Sequence, residues 1–149
     1  NKYGMGTSVA RASAHTDLFN RGSAYGIPGE EVDGMNVVTV NAAAAKAIEH
    51  IRAGKGPYIL EMSTYRYRGH SMSDPAKYRS KEEVQKMRSE RDPIDNVRAM
   101  LLDTKEVTEE SLKEIDKEVK AIVSDAADFA QQSPEPDISE LWTDILVEA

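Results

Sequence analysis

The sequence predicts an α/β fold, a parallel-sheet part followed by packing α-helices, and three observations carry that reading. An Ala-rich helical segment, a Gly-Lys-Gly turn and a short apolar run follow one another over residues 37 to 62, which makes half of an α/β layer unit. Beyond residue 80 the apolar residues recur at three- and four-residue intervals, the period of a helix with one buried face. Between these parts lies a stretch with no period and no apolar face, of a length that in a compact domain usually marks function.

Residues 1 to 34 hold most of the glycine, with Gly4, Gly6, Gly22, Gly26, Pro28, Gly29 and Gly34 interrupting any regular element, so loop-rich backbone is expected there. A helix is expected from Val37 to Ala53: Asn36 suits its N-cap, Ala47, Ile48 and Ile51 recur at helical spacing, and Gly54 stands just past its end. Pro57 to Met62 suits a strand in a covered parallel sheet. Residues 63 to 80 read as a long loop. Ser80-Lys81-Glu82-Glu83 has the form of a capping box and opens a charged helix to Glu90. Asp92-Pro93 starts another, with Ile94, Val97, Met100 and Leu101 on one side. A third runs from near Thr108 to Gln131 on Leu112, Ile115, Val119, Ile122, Ala126 and Phe129. Ser133-Pro134-Glu135-Pro136 stops it, and Ile138 to Val147 is expected to form a short helix or strand docking through Leu141, Trp142 and Ile145. The chain then divides into residues 1–80, which include the loop 63–80, and a helical extension over 81–149.

Composition narrows the function. At 149 residues, 40% apolar and 30% charged, the chain has the balance of one folding domain. Its formal net charge of −7 repels phosphate backbones and argues against nucleic acid as a partner. The absence of Cys removes disulfides, thiolate catalysis and thiolate zinc sites together. No apolar run reaches the roughly 20 residues of a membrane helix, and the opening has no signal-peptide core, so no membrane is expected as a partner. The chain starts on Asn1 in a loop-like string, and a piece of a longer polypeptide is the expectation.

The string richest in chemistry is Tyr65-Arg66-Tyr67-Arg68-Gly69-His70-Ser71-Met72-Ser73-Asp74-Pro75. It places two guanidinium groups, an imidazole and two hydroxyls directly after a parallel strand, and open α/β sheets bind ligands at the carboxyl ends of their strands. Arg with His suits an anionic oxygen cluster such as a diphosphate, and a solvated basic loop pairing with acidic helices is the alternative. At the opening, the Asn1 amide oxygen and a backbone carbonyl near Tyr3 are hard donors of the kind Mg²⁺ takes. On composition alone an ordinary Asn and Gly turn is the preferred reading. His15 and His50 read as surface histidines, and the carboxylates of residues 103 to 125, interleaved with Lys, as a solvated face.

Taken together, Asn1-Lys2-Tyr3-Gly4-Met5-Gly6-Thr7-Ser8 and Tyr65 to Pro75 resemble the alpha subunits of the thiamine-diphosphate-dependent 2-oxo acid dehydrogenases, most closely the pyruvate dehydrogenase family. The resemblance extends through Ile27-Pro28-Gly29, Val32-Asp33-Gly34, Gly54-Lys55-Gly56-Pro57, Tyr78-Arg79, Asp92-Pro93-Ile94 and Glu114-Ile115-Asp116 to Asp125-Ala126-Ala127. It implies a thiamine-diphosphate-binding, Rossmann-like sheet and two cofactors, thiamine diphosphate and Mg²⁺. Asn1 falls on the side-chain metal ligand and Tyr3 on the residue whose carbonyl is another. The third protein ligand of the family, an Asp in a Gly-Asp-Gly motif some 30 residues upstream, has no counterpart in this sequence.

The same resemblance puts His70 on the histidine that contacts the cofactor diphosphate and takes part in acyl transfer. Ser71 and Ser8 fall on phosphorylation sites of the mitochondrial members. Where those members carry a further Ser before the Tyr-Arg pair, this chain has Lys77 in a loop one residue shorter, which points to a bacterial source. The implied activity is oxidative decarboxylation of pyruvate with reductive acetylation of a lipoyl group, leading to acetyl-CoA. The implied partners are a beta subunit in an alpha2beta2 heterotetramer and the lipoyl domain of dihydrolipoyl acetyltransferase. Bacterial cytoplasm is the expected compartment, with the mitochondrial matrix as the alternative. Branched-chain 2-oxo acid or acetoin dehydrogenase, and a non-catalytic assembly fragment, are the competing readings.

Overall fold

The protein is described by a computed structural model over residues 1 to 145, and it divides into two units, Asn1–Asp103 and a second that begins at Thr104. The first unit opens with a small antiparallel hairpin, β1 (Tyr3–Gly4) with β2 (Thr7–Ser8), followed by a one-turn helix α1 (Val9–Ala12). A 3-10 helix over Leu18–Tyr25 ends on Gly26, whose φ of 68° is the left-handed conformation that glycine adopts without strain. Then come β3 (Gly29–Asp33), α2 (Val37–Arg52) and β4 (Ile59–Ser63).

β3 and β4 pair in parallel, from Gly29 opposite Ile59 to Asp33 opposite Ser63, with α2 as the crossover that a parallel pair requires. The mixed helix and strand architecture with a small parallel sheet is that of an α/β fold. Helix α2 starts as its sequence dictates: Asn36 Oδ1 accepts the Thr39 N–H at 3.1 Å, closing the first turn. Val32 of β3, Met35 and Ala47 of α2 are the buried apolar side chains of this unit.

Two expectations for the residues up to β4 are corrected in their elements. Residues 1 to 34 are not mainly loop, since they hold β1, β2, α1, the 3-10 helix and β3. Strand β3 escapes a hydrophobic pattern because Val32 is its only apolar residue; the polar Glu30 is held by Tyr58 Oη at 3.0 Å and Lys46 Nζ at 2.9 Å, partners distant in sequence. The second strand begins at Ile59 rather than Pro57, as Pro57 has no N–H to give a ladder.

After the long loop, α3 (Lys81–Arg91) and α4 (Pro93–Asp103) complete the first unit. The expected capping box at α3 is one-sided. Ser80 Oγ accepts the Glu83 N–H at 3.0 Å, whereas the Glu83 carboxylate accepts the Tyr65 hydroxyl at 2.9 Å instead of reaching back. At α4 Asp92 Oδ1 accepts the N–H groups of Ile94 and Asp95, with Pro93 at the first helical position.

The second unit is built on α5 (Glu109–Gln132), whose true capping box joins Thr108 and Ser111. Its apolar stripe is exposed within this chain, Phe129 by 75% and Ile122 by 59%. A 3-10 turn follows at Ile138–Leu141. The expected docking through Leu141, Trp142 and Ile145 is not found: all three are exposed, Trp142 by 79%. The part of that expectation falling on residues 146 and 147 lies outside the described residues. Among the described residues no helix is long and apolar enough to cross a membrane.

Candidate active site

The loop from residue 64 to 80 contains neither helix nor strand, as expected, yet it is tied down at both ends. Tyr65 and Tyr67, two apart and so on one side of an extended segment, both reach toward α3. The Tyr65 hydroxyl bonds Glu83, and the Tyr67 hydroxyl donates to Asp92 Oδ2 at 3.0 Å under the Arg88 guanidinium. Burial, helped by the Glu83 carboxylate, pushes the Tyr65 phenol up to about 12.

The middle of the loop is gathered by Asp74. Its carboxylate accepts the His70 N–H at 2.7 Å, the Ala76 N–H at 2.9 Å and the Tyr78 hydroxyl at 2.8 Å. These bonds favour the charged form and hold its pKa below the usual aspartate value, the His70 N–H contributing most. Gly69 is required by the same turn: a Cβ there would lie 2.5 Å from the Asp74 carbonyl oxygen. His70 and Ser71 are exposed at the outer edge of this turn, with the Ser71 and Ser73 hydroxyls 3.1 Å apart.

The opening segment packs on the same loop. The Tyr3 and Tyr78 rings lie 4.9 Å apart, and the Tyr3 hydroxyl donates to the Tyr78 carbonyl at 3.5 Å. Asn1 Oδ1 accepts the Tyr3 N–H at 3.1 Å, a local turn that leaves a further lone pair on that oxygen. Asn1 and Tyr3 line a cleft of about 310 Å³ together with Leu18, Glu61 and Ser63, at the carboxyl end of β4. A second cleft of about 470 Å³ begins at the carboxyl ends of both strands, with Asp33 and Ser63 in its wall. Beside the opening segment Arg79, 8% exposed, places its guanidinium over the rings of Tyr3, Tyr65 and Tyr78 and donates to the Arg66 carbonyl. Arg66 Nη1 is buried and makes no hydrogen bond to the protein.

The residues singled out from the sequence therefore fall as follows. Asn1 and Tyr3 are joined to the His70 loop through Tyr3, Tyr78 and Asp74. Ser8 is half-buried on β2, directly across the hairpin from Tyr3. His15 is exposed, as expected, and lines a separate cleft with Asp17 and Arg21. His50 is a correction: it is partly buried, edge-on to Tyr58 at 5.3 Å, and its Nε2 makes no bond to the protein. Sequence reasoning passed over Asp74, Tyr78 and Arg79 as working parts. The spacing of Asp74, four residues after His70 and next to a Pro, is a turn signal that could have found the first.

Known proteins resemble nearly the whole of this chain. The model of the family described as dehydrogenase E1 component matches residues 1 to 139. A relative called pyruvate dehydrogenase E1 component subunit alpha, from Rhizobium meliloti (strain 1021), is 69% identical over 147 residues, 99% of this chain and 42% of its own length. The protein of the same name from Zymomonas mobilis is 53% identical over 147 residues, 99% of this chain and 41% of that one. The somatic, mitochondrial form from Sus scrofa is 49% identical over 142 residues, 95% of this chain and 36% of that one. The chain spans less than half the length of these curated relatives. With its family model matched from the Asn1 segment through the His70 loop to the second unit, the chain belongs to the dehydrogenase E1 component family.

Proposed function

We propose that this chain is part of the alpha subunit of a pyruvate dehydrogenase, and that it holds one side of a site for Mg²⁺ and thiamine diphosphate in a Rossmann-like domain. The observation that carries the reading is the joining of the Asn1-Tyr3 segment to the His70 loop at the carboxyl end of a parallel strand. On this reading residues 1–80 are the C-terminal part of the cofactor domain, and 81–149 a helical extension of it.

The residues present fit such a cofactor. Asn1 Oδ1 and the Tyr3 carbonyl are neutral hard donors for Mg²⁺, and a carboxylate from outside this chain completes a site that two neutral oxygens leave weak. Arg66 offers a buried donor without a protein acceptor, the type of group that a diphosphate oxygen satisfies. When bound, thiamine diphosphate supplies the electron sink for decarboxylation. His70 has its backbone fixed by Asp74 and is exposed, so its ring can serve as a proton carrier on a held backbone during acetyl transfer to a lipoyl group. A phosphate on Ser71 adds up to about two negative charges beside that ring and opposes the approach of an anionic cofactor; Ser8, across from Tyr3, is a second position for the same effect.

The partners are a beta subunit, in an alpha2beta2 assembly, and the lipoyl domain of dihydrolipoyl acetyltransferase, in bacterial cytoplasm. Titration calorimetry of the full-length subunit assembled with its beta partner is expected to show Mg²⁺-dependent binding of thiamine diphosphate, and the 149-residue chain alone none. His70→Ala in that assembly should slow reductive acetylation about a hundredfold. Unchanged affinity and rate would remove His70 from the site.

A further inference from the structure

We infer that Arg79 is a positioning residue that locks the Asn1-Tyr3 segment to the His70 loop through an aromatic cage, so that the two halves of the cofactor site hold one relative position. The link to cofactor rests on the function proposed above; the lock itself does not. Arg79 is the buried charged residue of the described structure, and among the described residues no carboxylate pairs with it. Its guanidinium carbon lies 4.8 Å from the centre of the Tyr3 ring, 4.9 Å from that of Tyr65 and 5.1 Å from that of Tyr78. Nη1 donates to the Arg66 carbonyl, while Nε and Nη2 are buried without an acceptor.

A buried cation without a counter-ion is costly unless its surroundings replace water. Three electron-rich ring faces do so, and they come from three separate places: the opening hairpin, the start of the loop and the end of the loop. A planar guanidinium can contact three rings at once, which a compact ammonium on a flexible stem cannot. The consequence is a tie between elements more than sixty residues apart in sequence. Tyr78 then passes that tie on, because its hydroxyl holds the same Asp74 carboxylate that fixes the His70 N–H.

A double-mutant cycle in the full-length assembly tests the lock, using Arg79→Lys, Tyr3→Leu and both together. Two readouts are taken: the Kd for Mg²⁺ with thiamine diphosphate, and, without cofactor, the rate of tryptic cleavage after Lys77 relative to cleavage after the exposed Lys105. Each single variant is expected to raise both the Kd and the cleavage ratio about tenfold, and the double variant to do no more than the worse single. Effects that multiply in the double variant, or an Arg79→Lys change under twofold, overturn the proposal. If the unmodified assembly binds no thiamine diphosphate, the functional reading fails while the cleavage ratio still decides the lock. Should Arg79→Lys not assemble, the cycle of Tyr65→Leu with Tyr3→Leu takes its place. These two rings meet through the guanidinium, so independent effects on the cleavage ratio would again overturn the lock.

Discussion

Asp74 shows how one short side chain can organise a loop that has no regular structure. Its three accepted bonds stabilise the ionised carboxylate, so its pKa is lower in the folded loop than in the unfolded chain. A depressed pKa contributes order that is fully present above the unfolded value, about 3.9 for aspartate, and is lost as pH falls through the folded value. Protection of the His70 and Ala76 amides, the slowing of their exchange relative to the unfolded chain at the same pH, should accordingly be high at neutral pH and fall below about pH 4. Asp74→Asn should show the lowered protection already at neutral pH, because it removes the charge while keeping the shape; protection that does not respond to either change would take Asp74 out of this role. The candidate loop was legible from residues, since Arg66, His70 and Ser71 stand in one string after a strand. What anchors it was not, because Tyr78, Arg79 and Tyr3 become neighbours only through the fold.

At the level of elements, local chemistry was readable wherever the deciding contact is local. The Asn36 cap, the Asp92-Pro93 start and the Thr108 start are all bonds within three residues, and each stands where its sequence signature put it. Asn36→Ala should cost about 1 kcal/mol in urea unfolding; a change within error would mean that the α2 start is held by packing on the sheet instead. Strand β3 is the opposite case. Gly29-Glu30-Glu31-Val32-Asp33 has no alternation to betray it, and its extended form is imposed by pairing with β4 and by the capture of Glu30 from α2 and Tyr58. The Glu83 carboxylate fell between these cases: its position promised a local cap, and a loop tyrosine 18 residues earlier in the chain took it.

For the molecule as a whole, the sequence indicated the class of architecture and the family, and it misjudged how much apolar surface this stretch can cover by itself. The stripe on α5 has the expected period, yet Ile115, Val119, Ile122 and Phe129 remain exposed within the second unit. In the first unit the sheet described has two strands, and a parallel pair normally lies inside a larger sheet with both outer sides flanked. Sedimentation velocity on the 149-residue chain should therefore show mass that rises with concentration; a monomer at every concentration would show that the chain protects these surfaces unaided. Two parallel strands have two rows of amide and carbonyl groups that are not used between them, one on each margin. Such margins are adhesive, able to recruit any extended backbone, so the shape that makes a good interior becomes, when it stands alone, a template for addition.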